Sequence, residues 1–347
     1  MMHKSRIIII ALAALAAAAA LSCKKDSGDT SLPSLEGTLK FKEVPSFVAP
    51  QDEVTFTLNG VTHPDGGKVG YSITIKEGYN TVKDTLEDGV MSLTYKFCDR
   101  KYFKADTLRS VTVSASAFAD GYYSSSTSTH TVAIVKGGMR GGSINGLMPR
   151  LDDESFTVDE NGISVIYYAC KVGDATWLRR NAVSTGKGMA YSNAPAMLDV
   201  FGSYVNWEDA QTACPEGYRL PTDEDWAALG RALGAEDATA HKDIVGIAGK
   251  LMADATFNYD ETTLWTYWPQ VKITDESGFS VLPAGYANLG GKDGQFYGVK
   301  EYAAFWTADE AGADEAWYRY INEKEPDLKV GTADRKSFGA TVRCVKK

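Results

Sequence analysis

Tyr204-Val-Asn-Trp-Glu-Asp-Ala-Gln-Thr-Ala-Cys-Pro-Glu-Gly-Tyr-Arg-Leu-Pro-Thr-Asp-Glu-Asp-Trp-Ala-Ala-Leu229 reads as two short helices with a strand between them. Asn206 is suited to cap the first helix, and Trp207, Ala210 and Cys214 fall at i, i+3 and i+7, one apolar stripe. Pro215 and Gly217 stop that helix, and Tyr218-Arg-Leu220 reads as the strand. Thr222 is the cap expected for the second helix. Asp223, Glu224 and Asp225 follow in the first turn, where the unpaired backbone N–H groups favour negative charge. Trp226, Leu229 and Leu233 form its apolar stripe, and Gly234 is suited to end it.

Outward from this stretch, a chain of 347 residues has room for two or three domains, and a 44% hydrophobic, 23% charged composition is an ordinary globular balance. The formal net charge is −9, from 36 basic and 45 acidic residues. Removal of Lys4 and Arg6 with a leader would leave 34 against 45, a net of −11. That acidity argues against nucleic acid or anionic lipid as the main partner.

Residues 1–22 read as a lipoprotein signal peptide: His3, Lys4 and Arg6 open it, and an apolar run from Ile7 to Leu21 is too short for a confident membrane span. Ala20-Leu-Ser-Cys23 resembles a bacterial lipobox, with Cys23 as the acylated residue. Acyl chains contribute ~0.8 kcal/mol per buried CH₂, so a multiply acylated Cys23 is a durable membrane anchor. Lys24, rather than Asp, after the cysteine fits outer-membrane sorting. Lys24-Lys-Asp-Ser-Gly-Asp29 resembles in part the export signal of Bacteroides-type surface lipoproteins. Residues 23–34, rich in Ser, Gly and Asp, are expected to be a flexible tether.

Residues 35–137 alternate apolar with polar in segments near 38–42, 53–58, 70–75, 91–97, 110–115 and 129–134, separated by Pro64-Asp-Gly-Gly67, Glu87-Asp-Gly89 and Asp120-Gly121. This spacing predicts an all-β, immunoglobulin-like sandwich, expected to act as a spacer. Gly137-Gly-Met-Arg-Gly-Gly-Ser-Ile-Asn-Gly146 marks a boundary, and residues 138–149 read as a Gly-rich linker. It lacks the Gly-Lys-Ser/Thr ending and the helix of a phosphate-binding loop. Ser155–Val158, Ile163–Tyr168 and Thr176–Leu178 read as the next strands, with Glu160-Asn-Gly162 as a hairpin turn.

All seven Trp lie beyond residue 170. Trp177, Trp207, Trp226, Trp306 and Trp317 are expected in the core, since large rings bury the most surface in a loop-rich fold. Trp265-Thr-Tyr267-Trp268, outside any period and just before Pro269, is the candidate ligand-binding platform.

The strings GDATWLRRN (173–181), ACPEGYRLPTDEDWAAL (213–229), GFSVLPAGY (278–286), FWTADE (305–310), AWYRYI (316–321) and FGATVRCVKK (338–347) resemble, in order, the Fibrobacter succinogenes major paralogous domain. The stretch 205–226 is also similar to sulfatase-modifying proteins and C-type lectins. The resemblance implies an α+β, C-type-lectin-like domain over residues 150–347, following the β-sandwich, and it brings no activity with it. In this comparison Cys214 has its candidate disulfide partner in Cys344, which would return the chain's end to the first helix. With Cys23 assigned to lipid, Cys98 and Cys170 remain; they are either free and buried, the favoured reading, or staple the two domains together.

Enzyme readings find little support. Beyond the leader only His63, His130 and His241 remain, the first two in the sandwich, so no nucleophile has an obvious base. The sulfatase-modifying relatives work through a reactive cysteine pair near the C-terminus, where this chain has Cys344 alone. Asp152/Asp153, Glu224/Asp225 and Asp309/Glu310 read as turn, cap and solvated carboxylates rather than an acid–base pair. Glu325-Pro-Asp327 and Trp306-Thr-Ala308 do not match the calcium-binding strings of sugar-binding lectins, and no C-x₂₋₄-C spacing suggests a metal. No cofactor is expected. The expected function is a non-catalytic, lipid-anchored binding module of the outer membrane, facing the cell exterior and recognising a glycan or protein. The alternative is a structural or tip subunit of a surface appendage.

Overall fold

The computed structural model describes residues 31–77, 80–87, 89–98, 110–139, 142–257, 262–266, 271–291 and 294–347. The leader, Cys23 and the tether up to residue 30 lie outside them, as do Tyr267 and Trp268 of the expected binding platform. Among the described residues no helix is long and apolar enough to cross a membrane.

The protein is mostly β and built from several sheets. Its first strands are β1 (Lys40–Phe41), β2 (Phe47–Val48), β3 (Glu53–Asn59), β4 (Gly70–Glu77), β5 (Asn80–Thr85), β6 (Ser92–Lys96), β7 (Ser110–Phe118), β8 (Ser125–Ser126) and β9 (His130–Ile134). One sheet runs β1-β3-β6; the other runs β2-β9-β7-β4-β5, with β8 on β7. Alternation decides which side of each strand is buried. Val111, Val113, Ala115 and Ala117 of β7 point inward, and so do Phe56 and Leu58 of β3. The register sets Ile73 opposite Ala115 and Ile75 opposite Val113. These side chains share one apolar cluster with residues of both sheets. β5 was not among the expected strands: Val82 is the lone large apolar residue in Asn-Thr-Val-Lys-Asp-Thr, and the strand forms a polar sheet edge.

The remaining elements are β10 (Ile144–Asn145), β11 (Glu154–Glu160), β12 (Ile163–Val172), β13 (Ala175–Leu178), α1 (Leu198–Phe201), α2 (Trp207–Ala210), β14 (Tyr218–Arg219), α3 (Asp223–Ala232), α4 (Ala248–Leu251), β15 (Thr256–Phe257), β16 (Tyr286–Asn288), β17 (Gln295–Tyr297), β18 (Tyr302–Glu310), β19 (Glu315–Asn322), β20 (Lys329–Asp334), β21 (Phe338–Gly339) and β22 (Val345–Lys346). They build sheets β11-β12-β13-β22-β14, β17-β16-β21 and β18-β19-β20, and the pair β10-β15. The β11–β12 hairpin turns at Asn161 and Gly162, both with positive φ, as an Asn-Gly hairpin turn requires. Asn206 Oδ1 accepts the Asp209 N–H at 2.8 Å, so the expected cap forms. The helix it starts is a single turn, and Cys214 lies past its end, half-buried. Thr222 and Asp225 form a reciprocal capping box on α3.

The segment from β21 to β22 runs through the middle of this part. Ala340 exchanges hydrogen bonds with Val205, Thr341 N donates to Ala304 O, and Trp306 N donates to Thr341 O. Ala182 N donates to Val342 O and Leu178 N to Cys344 O. Cys344 is bonded to Cys214 across 130 residues, with Cα atoms 5.8 Å apart. Cys98 and Cys170 are buried in two different clusters, and no disulfide joins them.

The Gly-rich segment differs from the expected linker. Met139, Ser143 and Ile144 are buried, and β10 pairs with β15. Gly137 N donates to Asp199 Oδ2 at 2.7 Å, and Asp199 Oδ1 accepts from Arg180 Nη2 at 2.9 Å. A Cβ on Gly137 would lie 1.5 Å from Asp199 O. Glycine is therefore used here for close approach of two backbones rather than for looseness. Ala133 and Val135 share a cluster with Met197, Phe201 and Leu282, with Phe47 packed against it, so both strand groups contribute to one core at the joint.

In the chain-entropy account, a cross-link over 130 residues contributes about 5 kcal/mol. Cys214→Ala is expected to lower unfolding free energy by about 2–5 kcal/mol in denaturant titration under oxidising conditions, with no such loss when both proteins are reduced. Gly137→Ala is expected to cost about 1–3 kcal/mol through overpacking at the joint, read as a lowered melting temperature. An unchanged midpoint would show that the joint yields freely.

Candidate functional site

Residues alternate across the β18–β19 hairpin. Ala303, Phe305, Arg319 and Ile321 face one core, while Tyr302, Ala304, Trp306, Tyr318 and Tyr320 lie on the opposite face, where Ala304 and Trp306 are buried in a second core and Tyr302 and Tyr318 are packed at its margin. On β20, Gly331 pairs with Tyr318; a Cβ there would lie 3.0 Å from the Tyr318 ring, so the missing side chain makes room for it. Next to this face, β16, β17 and β21 bring Tyr286, Tyr297 and Phe338 to the surface.

The six rings form one cluster. Tyr302 meets Tyr320 at 4.9 Å between centroids, Tyr320 meets Tyr318 at 5.6 Å, and Tyr318 meets Phe338 at 4.9 Å. Phe338 meets Tyr286 at 5.3 Å, Tyr286 meets Tyr302 at 5.5 Å and so closes the circuit, and Tyr297 stacks on Tyr286 at 5.5 Å. Five of the rings are half-buried and Tyr297 is 42% exposed. Burial pushes the phenols of Tyr302, Tyr318 and Tyr320 above their usual range, and a Tyr302–Tyr318 hydrogen bond adds to the effect at Tyr302. Their hydroxyls therefore stay neutral. Two nearby cations are already paired: Lys329 with Asp243 at 2.7 Å and Glu325 at 3.2 Å, and Arg335 with Glu208 at 3.2 Å and Glu310 at 3.4 Å. The result is an uncharged aromatic hub inside a polar rim, a composition that suits recognition of a partner. Sequence reading missed it. The Tyr-x-Tyr spacing of β19 was visible, but the other rings come from four further strands.

The expected platform is corrected at Trp265. Its ring is buried in the core at 2% exposure, and its Nε1 donates to Val281 O at 3.1 Å, because the neighbouring Leu264 N–H bonds to Ala255 O and draws the segment inward. It offers no face to a ligand; Tyr267 and Trp268 are not among the described residues. Trp177, Trp207, Trp226 and Trp306 are buried, as expected. Trp317 is only half-buried, stacked on His241 at 4.6 Å.

Two buried ion pairs were also missed. Asp153, read as a turn residue, is enclosed and pairs with Arg179. Asp223, read as a helix-start charge, is fully buried and accepts from Arg319 Nε at 2.6 Å and from Arg319 Nη2, while Arg319 Nη1 donates to Lys242 O at 2.6 Å. Asp223 also accepts the His241 N–H, and its own N–H donates to Asp309. This network ties α3 to β19, beneath Trp317, and holds no nucleophile. Among the described residues no three His, Cys, Asp or Glu side chains gather as metal ligands.

Residues 170–346, more than half of the chain, match the profile of the family described as Fibrobacter succinogenes major domain. No curated protein and no solved structure is similar enough to match.

Removing one member of a buried ion pair strands the other. Asp223→Ala is expected to cost about 3–5 kcal/mol in chemical denaturation. The apolar double variant Asp223→Leu/Arg319→Met is expected to recover most of that loss. A double variant as unstable as the single one would mean that the charges themselves are needed.

Proposed function

We propose a function from one premise: the chain belongs to the Fibrobacter succinogenes major domain family. The protein is a lipid-anchored binding module of the outer membrane, facing the cell exterior, that recognises a glycan or protein ligand without catalysing a reaction. In this reading Cys23 carries the lipid, residues 35–137 form an immunoglobulin-like block, and residues 150–347 form a C-type-lectin-like head. The leader pattern and the lipobox-like Ala20-Leu-Ser-Cys23 support the anchor. A disulfide from just past the first capped helix to the residue before the last strand of a β-rich domain supports the lectin-like comparison.

The observation that carries the binding role is the neutral hub of Tyr286, Tyr297, Tyr302, Tyr318, Tyr320 and Phe338. Tyrosine gives a large amphipathic contact with few rotatable bonds, so little entropy is lost on binding. These rings also hold one another in place before any ligand arrives. The appendage-subunit alternative is weakened by the sheet edges. β5 exposes Thr81, Lys83 and Asp84, and β11 carries Glu154, Asp159 and Glu160 at its ends, which discourage strand-to-strand assembly.

A glycan array probed with the full chain in a non-ionic detergent tests this reading, alongside Tyr318→Ala and Tyr320→Ala. Binding to a restricted set of glycans, weakened at least tenfold in both variants, is the expected result. A blank array together with a co-purifying polymer of protein subunits would favour the appendage role instead.

A further inference from the structure

We propose that the hub's ligand is a neutral polysaccharide, and that Tyr297 supplies the ring face on which one of its sugars stacks. The inference rests on reading the hub as a binding face.

Most hub rings are covered by one another, so what they offer outward is edges and hydroxyls. Tyr297 differs. It ends the cluster, is 42% exposed, and among the described residues meets one other ring, Tyr286, at 5.5 Å and 27°. Its hydroxyl donates to Gln295 Oε1 at 2.5 Å, so the ring is fixed at both its face and its tip. One face is thereby left for a ligand. The C–H-lined face of a sugar ring complements an aromatic face, and a pre-positioned ring loses little freedom on contact.

The neighbours match the same chemistry. Gln295 and Asn288 sit opposite each other in the β16–β17 register, both exposed, on the face that carries Tyr286 and Tyr297. Phe338 pairs with Asn288 from the other side. Each amide both donates and accepts hydrogen bonds, as each sugar hydroxyl does. No charged side chain belongs to β16, β17 or β21. Lys329 and Arg335 are neutralised in pairs, and the chain's net charge of −9 opposes an anionic polymer at long range. A single sugar on Tyr297 gains few contacts, whereas a polymer that also reaches Gln295 and Asn288 gains several at once.

The test is affinity electrophoresis of the full chain in a polyoxyethylene detergent through gels containing soluble neutral polysaccharides (a β-glucan, a mannan, a xylan) or anionic ones (alginate, polygalacturonate). Retardation by at least one neutral polymer is expected. Tyr297→Ala is expected to weaken it roughly tenfold, the scale of one aromatic contact, with most of the affinity kept in Tyr297→Phe. Unchanged melting temperatures of both variants confirm that the fold is intact. The inference is overturned by retardation in anionic gels alone, by retardation in none, or by neutral binding indifferent to Tyr297→Ala. Neutral binding lost in Tyr320→Ala but kept in Tyr297→Ala would spare the hub as the binding face and remove only the stacking role. Absence of retardation in every gel, beside array binding that depends on Tyr318 and Tyr320, would spare it likewise and exclude a neutral polymer.

Discussion

The later part of the protein depends on one strand segment being gripped from all sides. Residues from Phe338 to Lys346 bond to β16, to Val205, to β18, and to both β13 and β14. Arg343 in this segment is fully buried. Its guanidinium lies over Phe279 at 4.8 Å and within 5.7 Å of Phe305, and Nη1 donates to Phe279 O at 2.7 Å. Burial lowers its affinity for its proton, as expected for a cation removed from water. Such a group is tolerated where surrounding carbonyls and ring faces replace part of its hydration. The bond to Cys214 then fixes the segment to the region of α2 and β14, and Phe338 at its start joins the aromatic hub. The same nine residues thus connect the covalent closure, the central packing and the binding face.

The hub is rigid for reasons that begin far from it. Tyr318 and Tyr320 lie on the side of β19 opposite Arg319, which Asp223 holds in the other core. That pair fixes β19 against α3, and Gly331 leaves room for the Tyr318 ring. The joint between the two strand groups is equally constrained. Arg180, Asp199 and Gly137 form a chain of hydrogen bonds over a shared apolar core. The first sheets therefore carry the later part at a set orientation rather than on a loose tether.

Local signals proved readable where the chemistry is local. The Asn206 and Thr222 caps, the Asn161-Gly162 turn and the alternation of β7 depend on neighbours in sequence, and each could be read there. β5 was missed because one valine among polar residues carries no period; it forms by pairing with β4. The Gly-rich segment was read as loose because close backbone approach and flexibility use the same residue. Asp153 was read as a turn carboxylate and Asp223 as a helix-start charge because a partner more than twenty residues away leaves no local trace. Trp265 followed general expectation for an aperiodic tryptophan until its hydrogen bond to Val281 placed it inside. The hub needed five separate strands in register, which no window of sequence displays.

Amide hydrogen exchange under native conditions bears most directly on the central role of the 338–346 segment. The amides of Ala340 and Thr341, with those of Leu178, Ala182 and Val205 that bond to the segment, should exchange only through global unfolding and share one denaturant dependence. Exchange of the segment through small, denaturant-independent openings, as in a fraying chain end, would contradict the account.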